Sequence, residues 1–81
     1  MRIISANLNG VRSAARKGFF DWFARQDADV IAVQELKAQH ADIHSGYTPP
    51  GFHSYFHCAE KKGYSGVGLY SRHQPDEVII G

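Results

Sequence analysis

The amino-acid sequence predicts a layered α/β fold. Two short apolar runs, "RIISANL" and "VIAVQ", read as strands, and a stretch dense in aromatics, "FFDWFARQ", lies between them at helical spacing. Strand, helix and strand follow one another within about thirty residues, which is the length of a βαβ unit. Its crossover is expected to be right-handed and its two strands parallel.

The first strand carries Ile3 and Ile4 side by side, which breaks strict alternation and predicts cover on both faces of the sheet. "NGVRSAARKG" reads as a loop opened by the Asn-Gly turn signal. A helix is expected over about residues 15 to 26, with Phe19, Phe20, Trp22 and Phe23 on its apolar face. "DADV" turns into the second strand, Val30 to Gln34. "KAQHADIH" reads as a short helix, and Pro49, Pro50 and Gly51 mark "SGYTPPGFH" as a loop. "FHSYFHCAE" and "VGLYSR" form a hairpin about the turn "KKGYSG". "EVII" begins a fifth strand, and an apolar strand there predicts that the chain is the front part of a longer protein.

With 81 residues the chain can bury only a modest core, which is small for an enzyme. Hydrophobic content of 43% with 21% charge is globular and excludes a disordered tail. No apolar run approaches the roughly 18 residues of a membrane span, and "MRIISANLNG" turns polar too early for a secretory signal. The single cysteine, Cys58, cannot form an internal disulfide, in keeping with a reducing compartment. Net charge is only +1, yet Arg2, Arg12, Arg16 and Lys17 all precede the first acid, Asp21. An acid-free, basic first quarter points to an anionic partner, against the plainer possibility of a solvated face.

Parallel strands finish at one edge of the sheet, and open α/β sheets place their sites outside that carboxyl edge. Asn7 ends the first strand and Glu35 follows the second, so the two are expected to meet in space. A carboxylate is a hard ligand suited to magnesium or manganese, with an amide beside it as neutral donor or acceptor. Arg12, Arg16 and Lys17 follow the same edge and could hold phosphate. "GYSGVG" matches neither the dinucleotide nor the P-loop pattern. Its glycine turn, with Lys61, Lys62 and Tyr64, could touch a phosphate backbone as well as close a hairpin. His40 and His44 have zinc-helix spacing, but Ala41 stands where the zinc-protease motif needs Glu, and no four-ligand set emerges.

"ISANLNGVRSA", "DVIAVQELK" and "GYSGVGLYSR", in this order and spacing, resemble the first three signature segments of the exonuclease III-like apurinic/apyrimidinic (AP) endonucleases, within the endonuclease/exonuclease/phosphatase superfamily. The resemblance runs through all 81 residues. It implies a four-layered α/β sandwich, two packed mixed sheets with outer helices, of which residues 1–81 form the N-terminal first third. It implies a metal-dependent DNA repair nuclease that cuts duplex DNA at abasic sites and trims 3′ ends, using Mg2+ or Mn2+. By resemblance Glu35 is the metal-binding carboxylate and Asn7 the active-site Asn beside metal and phosphate, so both are candidate catalytic and metal-site residues. Asn9 lies in the outer metal shell. Arg12, Ser13 and Lys17 grip the DNA backbone, with Gly63 and Tyr64 as a second contact. Ala6 and Leu36 depart from the family, which usually has Trp or Phe, and Thr, at those places. The family's catalytic Tyr, its Asp/Asn pair and its Asp–His pair match nothing here, so the 81 residues alone are expected to be inactive and prone to aggregate through open sheet edges. The full-length protein is expected to be a monomer in the cytoplasm, nucleoid-associated if bacterial, with duplex DNA and no membrane as partner. The alternatives are a related phosphodiesterase or a non-catalytic nucleic-acid-binding module.

Overall fold

The computed structural model describes residues 1–58 and 65–73. The expected fifth strand and most of the glycine turn, including Lys61, Lys62, Gly63 and Tyr64, lie outside the described residues. Strands β1 (Ile3–Asn7), β2 (Val30–Gln34), β3 (His53–Cys58) and β4 (Gly66–Ser71) form one mixed sheet in the order β1-β2-β4-β3. β1 and β2 run parallel, with Ile3 opposite Val30 and Asn7 opposite Gln34. β4 lies antiparallel to both β2 and β3. The βαβ unit and the hairpin are therefore both present.

The helical layer differs from expectation. Helix α1 spans Val11–Arg16, inside the segment read as a loop, and α2 spans Phe19–Ala24. The reason is Gly18, whose φ of 93° is left-handed: it ends one helix and caps the next, so a single helix over residues 15 to 26 cannot form. Val11 anchors α1 because it is fully buried, while Ala14 and Ala15 are good helix formers. The two other short segments form single 3₁₀ turns, His40–Asp42 and Ser45–Tyr47. The first replaces the expected short helix, and the second interrupts the expected loop.

Paired register puts Ile4, Ile31 and Tyr70 in one row, and Ala6, Val33, Gly68 and Phe56 in the next, on the face that the helices cover. Phe23 packs edge-on against Tyr70 at 5.0 Å and against Phe52 at 4.8 Å, which fits the quadrupole preference of aromatic pairs. The Tyr70 hydroxyl donates to the Tyr47 carbonyl at 2.8 Å, and burial pushes its pKa far upward. Gly68 has no room for a side chain: a Cβ there would stand 3.0 Å from both Phe56 and Val33. The opposite face is open. Ile3 is 65% exposed on it, so cover on both faces is not supplied by these residues. No helix among the described residues is long and apolar enough to cross a membrane.

Candidate active site and phosphate groove

The loops after β1 and β2 are fastened together by backbone hydrogen bonds that extend the parallel ladder. Leu8 N–H donates to Gln34 O, Gly10 N–H to Glu35 O and Val11 N–H to Leu36 O, at 2.8–3.0 Å. Leu36 N–H donates in turn to Gly66 O at 3.1 Å, which adds the start of β4. Within this frame Asn9, Glu35 and Lys37 have left-handed φ values of 50°, 54° and 51°. A non-glycine residue in that region costs on the order of 1 kcal/mol or more, so the surroundings must enforce it. Leu36 and Ala38 do so: both are buried, and each alternates with a polar neighbour. The departure at Leu36 thus has a structural role, as an apolar pin beneath Glu35 and Lys37.

A chain of hydrogen bonds links the polar side chains. Asn7 Nδ2 donates to Glu35 Oε2, so the expected meeting of these two residues takes place. Asn7 Oδ1 accepts from Asn9 N–H at 3.0 Å, and Asn9 Oδ1 accepts from Lys37 Nζ at 2.6 Å. Asn7 therefore orients the Glu35 carboxylate while keeping a second lone pair on Oδ1 for another partner. Among the described residues no three His, Cys, Asp or Glu side chains come together. A carboxylate with one amide beside it suits a hard cation that keeps most of its water and takes substrate phosphate oxygens, as magnesium does.

The basic residues divide into two sets. Arg12, Ser13 and Arg16 line a groove of about 410 Å³ with Gly10 and Lys37. Arg12 also donates to the Lys37 carbonyl at 3.4 Å and stands 4.0 Å from the Asp42 carboxylate. Lys17 leans to the other side, into a cleft of about 460 Å³ with Asn7, Leu8, Phe19 and Trp22. Arg12 and Arg16 are one helical turn apart on α1, whereas Lys17 lies beyond its last turn, so the three do not act from one surface. Gly63 and Tyr64 lie outside the described residues. Sequence reading assigned no role to Lys37, whose placement depends on the left-handed backbone at Glu35 and Lys37.

Residues 4–81 match the Endonuclease/Exonuclease/phosphatase family. The chain belongs to that family. Among curated relatives, an exodeoxyribonuclease of Bacillus subtilis is 40% identical over 82 residues, covering all of this chain and 32% of the Bacillus protein. A DNA-(apurinic or apyrimidinic site) endonuclease of Dictyostelium discoideum is 32% identical over 81 residues, again all of this chain but 22% of the relative. The solved structure of a 3′-5′ exonuclease from Neisseria meningitidis superposes with a TM-score of 0.82 at 26% identity, covering 100% of this chain and 31% of that one. The chain thus spans about a third or less of the length of these family members, and the mixed sheet with its helices is a fragment of their α/β sandwich.

Proposed function

We propose that this chain belongs to a DNA repair nuclease that hydrolyses the phosphodiester backbone of duplex DNA at abasic sites, with 3′-5′ trimming activity and dependence on Mg2+ or Mn2+. The observation that carries the reading is the Glu35–Asn7–Asn9–Lys37 hydrogen-bond chain beside a cationic groove, at the carboxyl edge of the sheet. The names of the relatives, exodeoxyribonuclease and AP endonuclease, support the reaction class.

Glu35 would hold the cation, with Asn7 Oδ1 as a second oxygen. A divalent ion held there would supply Lewis-acid stabilisation of charge on the scissile phosphate and the leaving oxygen. Asn7 holds the carboxylate in one orientation, and Asn9 holds Asn7 through its backbone N–H. Arg12 and Ser13 from one side, and Lys17 from the other, bind backbone phosphates, with Gly63 and Tyr64 as a further contact. Such contacts position DNA without reading its sequence, so binding is salt-sensitive and selectivity comes from the abasic nucleotide, which is cheap to unstack. The base that activates water is an Asp outside these 81 residues, by the family resemblance. The place of action is the cytoplasm, in keeping with the unpaired Cys58.

The test is cleavage of an abasic duplex by the full-length protein with magnesium and with chelator. The expected result is a nick 5′ to the abasic site that chelation abolishes. Equal cleavage in both conditions excludes the metal role, and DNA binding without cleavage favours the non-catalytic module.

A further inference from the structure

Ala6 has no part in the site described above, yet it shapes a cleft beside it. Its side chain is a single methyl group at a place where the family usually has Trp or Phe. The cleft, about 460 Å³, lies between the end of β1 and the junction of α1 with α2, and Ala6, Leu8, Phe19 and Trp22 supply apolar walls. That volume is in the range of small-ligand sites. Phe19 and Trp22 stack with ring centroids 5.8 Å apart and 29° between their planes, and both are half-buried, so the wall presents flat aromatic surface. Asn7 and Lys17, both exposed, line the cleft as well. Asn7 donates to Glu35, so whatever enters the cleft lies next to the proposed reacting centre. Lys17 adds positive charge, which suits a polyanionic strand. A flat apolar slot beside groups that handle phosphate matches the two halves of one nucleotide, and stacking of a base on an aromatic side chain tolerates any base.

We infer that the cleft takes the unstacked 3′-terminal nucleobase of a DNA strand during trimming, with the base on Trp22 and the phosphodiester on its 5′ side at Glu35 and Asn7. A terminal base stacks on one neighbour only, so it leaves the duplex at low cost. An abasic nucleotide has no base to place there, so cleavage at an abasic site does not need the cleft. Ala6 and Trp22 are therefore specificity-determining residues: the short side chain admits the ring, and the indole stacks on it. This inference rests on the DNA reading above and deepens it, by assigning to the cleft the choice between base-bearing 3′ ends and abasic sites.

The experiment gives the full-length protein two substrates with magnesium, an abasic duplex and an undamaged duplex with a recessed 3′ end. Values of kcat/KM on each are measured for the wild type, A6W and W22L, with thermal melting as the control for folding. A6W fills the cleft, and W22L removes the stacking ring. Each should lower trimming about tenfold relative to abasic cleavage, the scale of one base–aromatic stack, while abasic cleavage stays near the wild-type value. W22L carries the same expectation should A6W fail to fold. In chelator, 2-aminopurine placed at the 3′ terminus should lose fluorescence on binding the wild type and keep it on binding W22L. An unchanged ratio of trimming to abasic cleavage in the folded variants overturns the cleft assignment, and so does 2-aminopurine that binds the wild type and stays bright. Wild-type protein that cleaves abasic DNA while the ratio holds in the variants overturns only that assignment. Wild-type protein that neither binds nor cleaves duplex DNA overturns the DNA reading and the cleft assignment together.

Discussion

The two ends of the same parallel strand pair use polar residues in opposite ways. At the amino end, Asp29 Oδ2 accepts from Arg2 N–H at 2.8 Å, Asp29 N–H donates to Arg2 O at 2.8 Å, and Asp29 O accepts from Arg72 N–H at 2.9 Å. Arg72 also pairs with Asp27 at 2.9 Å. Charge there closes backbone, and the acids and bases of the cluster face one another. At the carboxyl end, among the described residues, the Glu35 carboxylate accepts from the Asn7 side-chain amide, while Arg12, Arg16 and Lys37 line a groove with the Asp42 carboxylate 4.0 Å from Arg12. Both ends contain left-handed non-glycine residues, Asp27 at one and Asn9, Glu35 and Lys37 at the other. Backbone conformation alone therefore does not mark a site. The mark is charge that the fold orients and leaves for a ligand.

The comparison can be broken most sharply at Glu35. Glu35→Gln in the full-length protein keeps the shape and removes the charge, and cleavage of abasic DNA should fall at least about 10²-fold, because Lewis-acid stabilisation is worth several kcal/mol and each 1.4 kcal/mol is a factor of ten. Full activity in that variant would place the cation elsewhere. Leu36→Ala asks what holds the carboxyl edge in place. A fully buried leucine truncated to alanine costs about 2–5 kcal/mol, so denaturant melting should show a large loss of stability. A loss below 1 kcal/mol, with the left-handed residues still in place, would mean that Leu36 is not the pin.

Most of the fold was legible in the sequence, for identifiable reasons. The strand pair, its parallel sense and the meeting of Asn7 with Glu35 follow from apolar runs separated by the length of a crossover. The hairpin of β3 and β4 follows from alternation around a glycine turn. The helical layer was misread because "NGVRSAARKG" contains two glycines and an Asn-Gly signal, which outweighed the buried Val11 and the paired alanines. The break at Gly18 depends on a φ value, which spacing does not encode. Lys37 escaped notice because its orientation depends on two left-handed residues around Leu36, and non-glycine residues give little local sign of such a backbone. The division of Arg12 and Arg16 from Lys17 likewise requires the end of α1 to be known.

Gly68→Ala tests the packing beneath the site with a smaller effect. The new Cβ meets Phe56 and Val33 at 3.0 Å, and overpacking of this kind costs about 1–3 kcal/mol. A thermal shift upward in that variant would show that β4 has slack. The amino end gives the smallest effect, read by pH. The Arg2 backbone N–H bonded to Asp29 holds its carboxyl below the usual range. Its folded pKa is depressed, so its contribution is present above the unfolded value of about 3.9 and is lost as pH falls through the folded one. Asp29→Asn should flatten that part of the acid limb of the stability curve, slightly because the group is exposed to water. An unchanged acid limb would remove Asp29 from the clamp.

Manganese titration of the full-length protein, followed by paramagnetic broadening of assigned NMR resonances, tests the contrast between the two ends most directly. Glu35 and the Asn7 side-chain amide should broaden first, at manganese levels that leave Asp27 and Asp29 sharp, and Glu35→Gln should abolish that early broadening. Broadening that begins at Asp27 and Asp29, or that persists at Asn7 in Glu35→Gln, would contradict the assignment of the cation to the carboxyl edge.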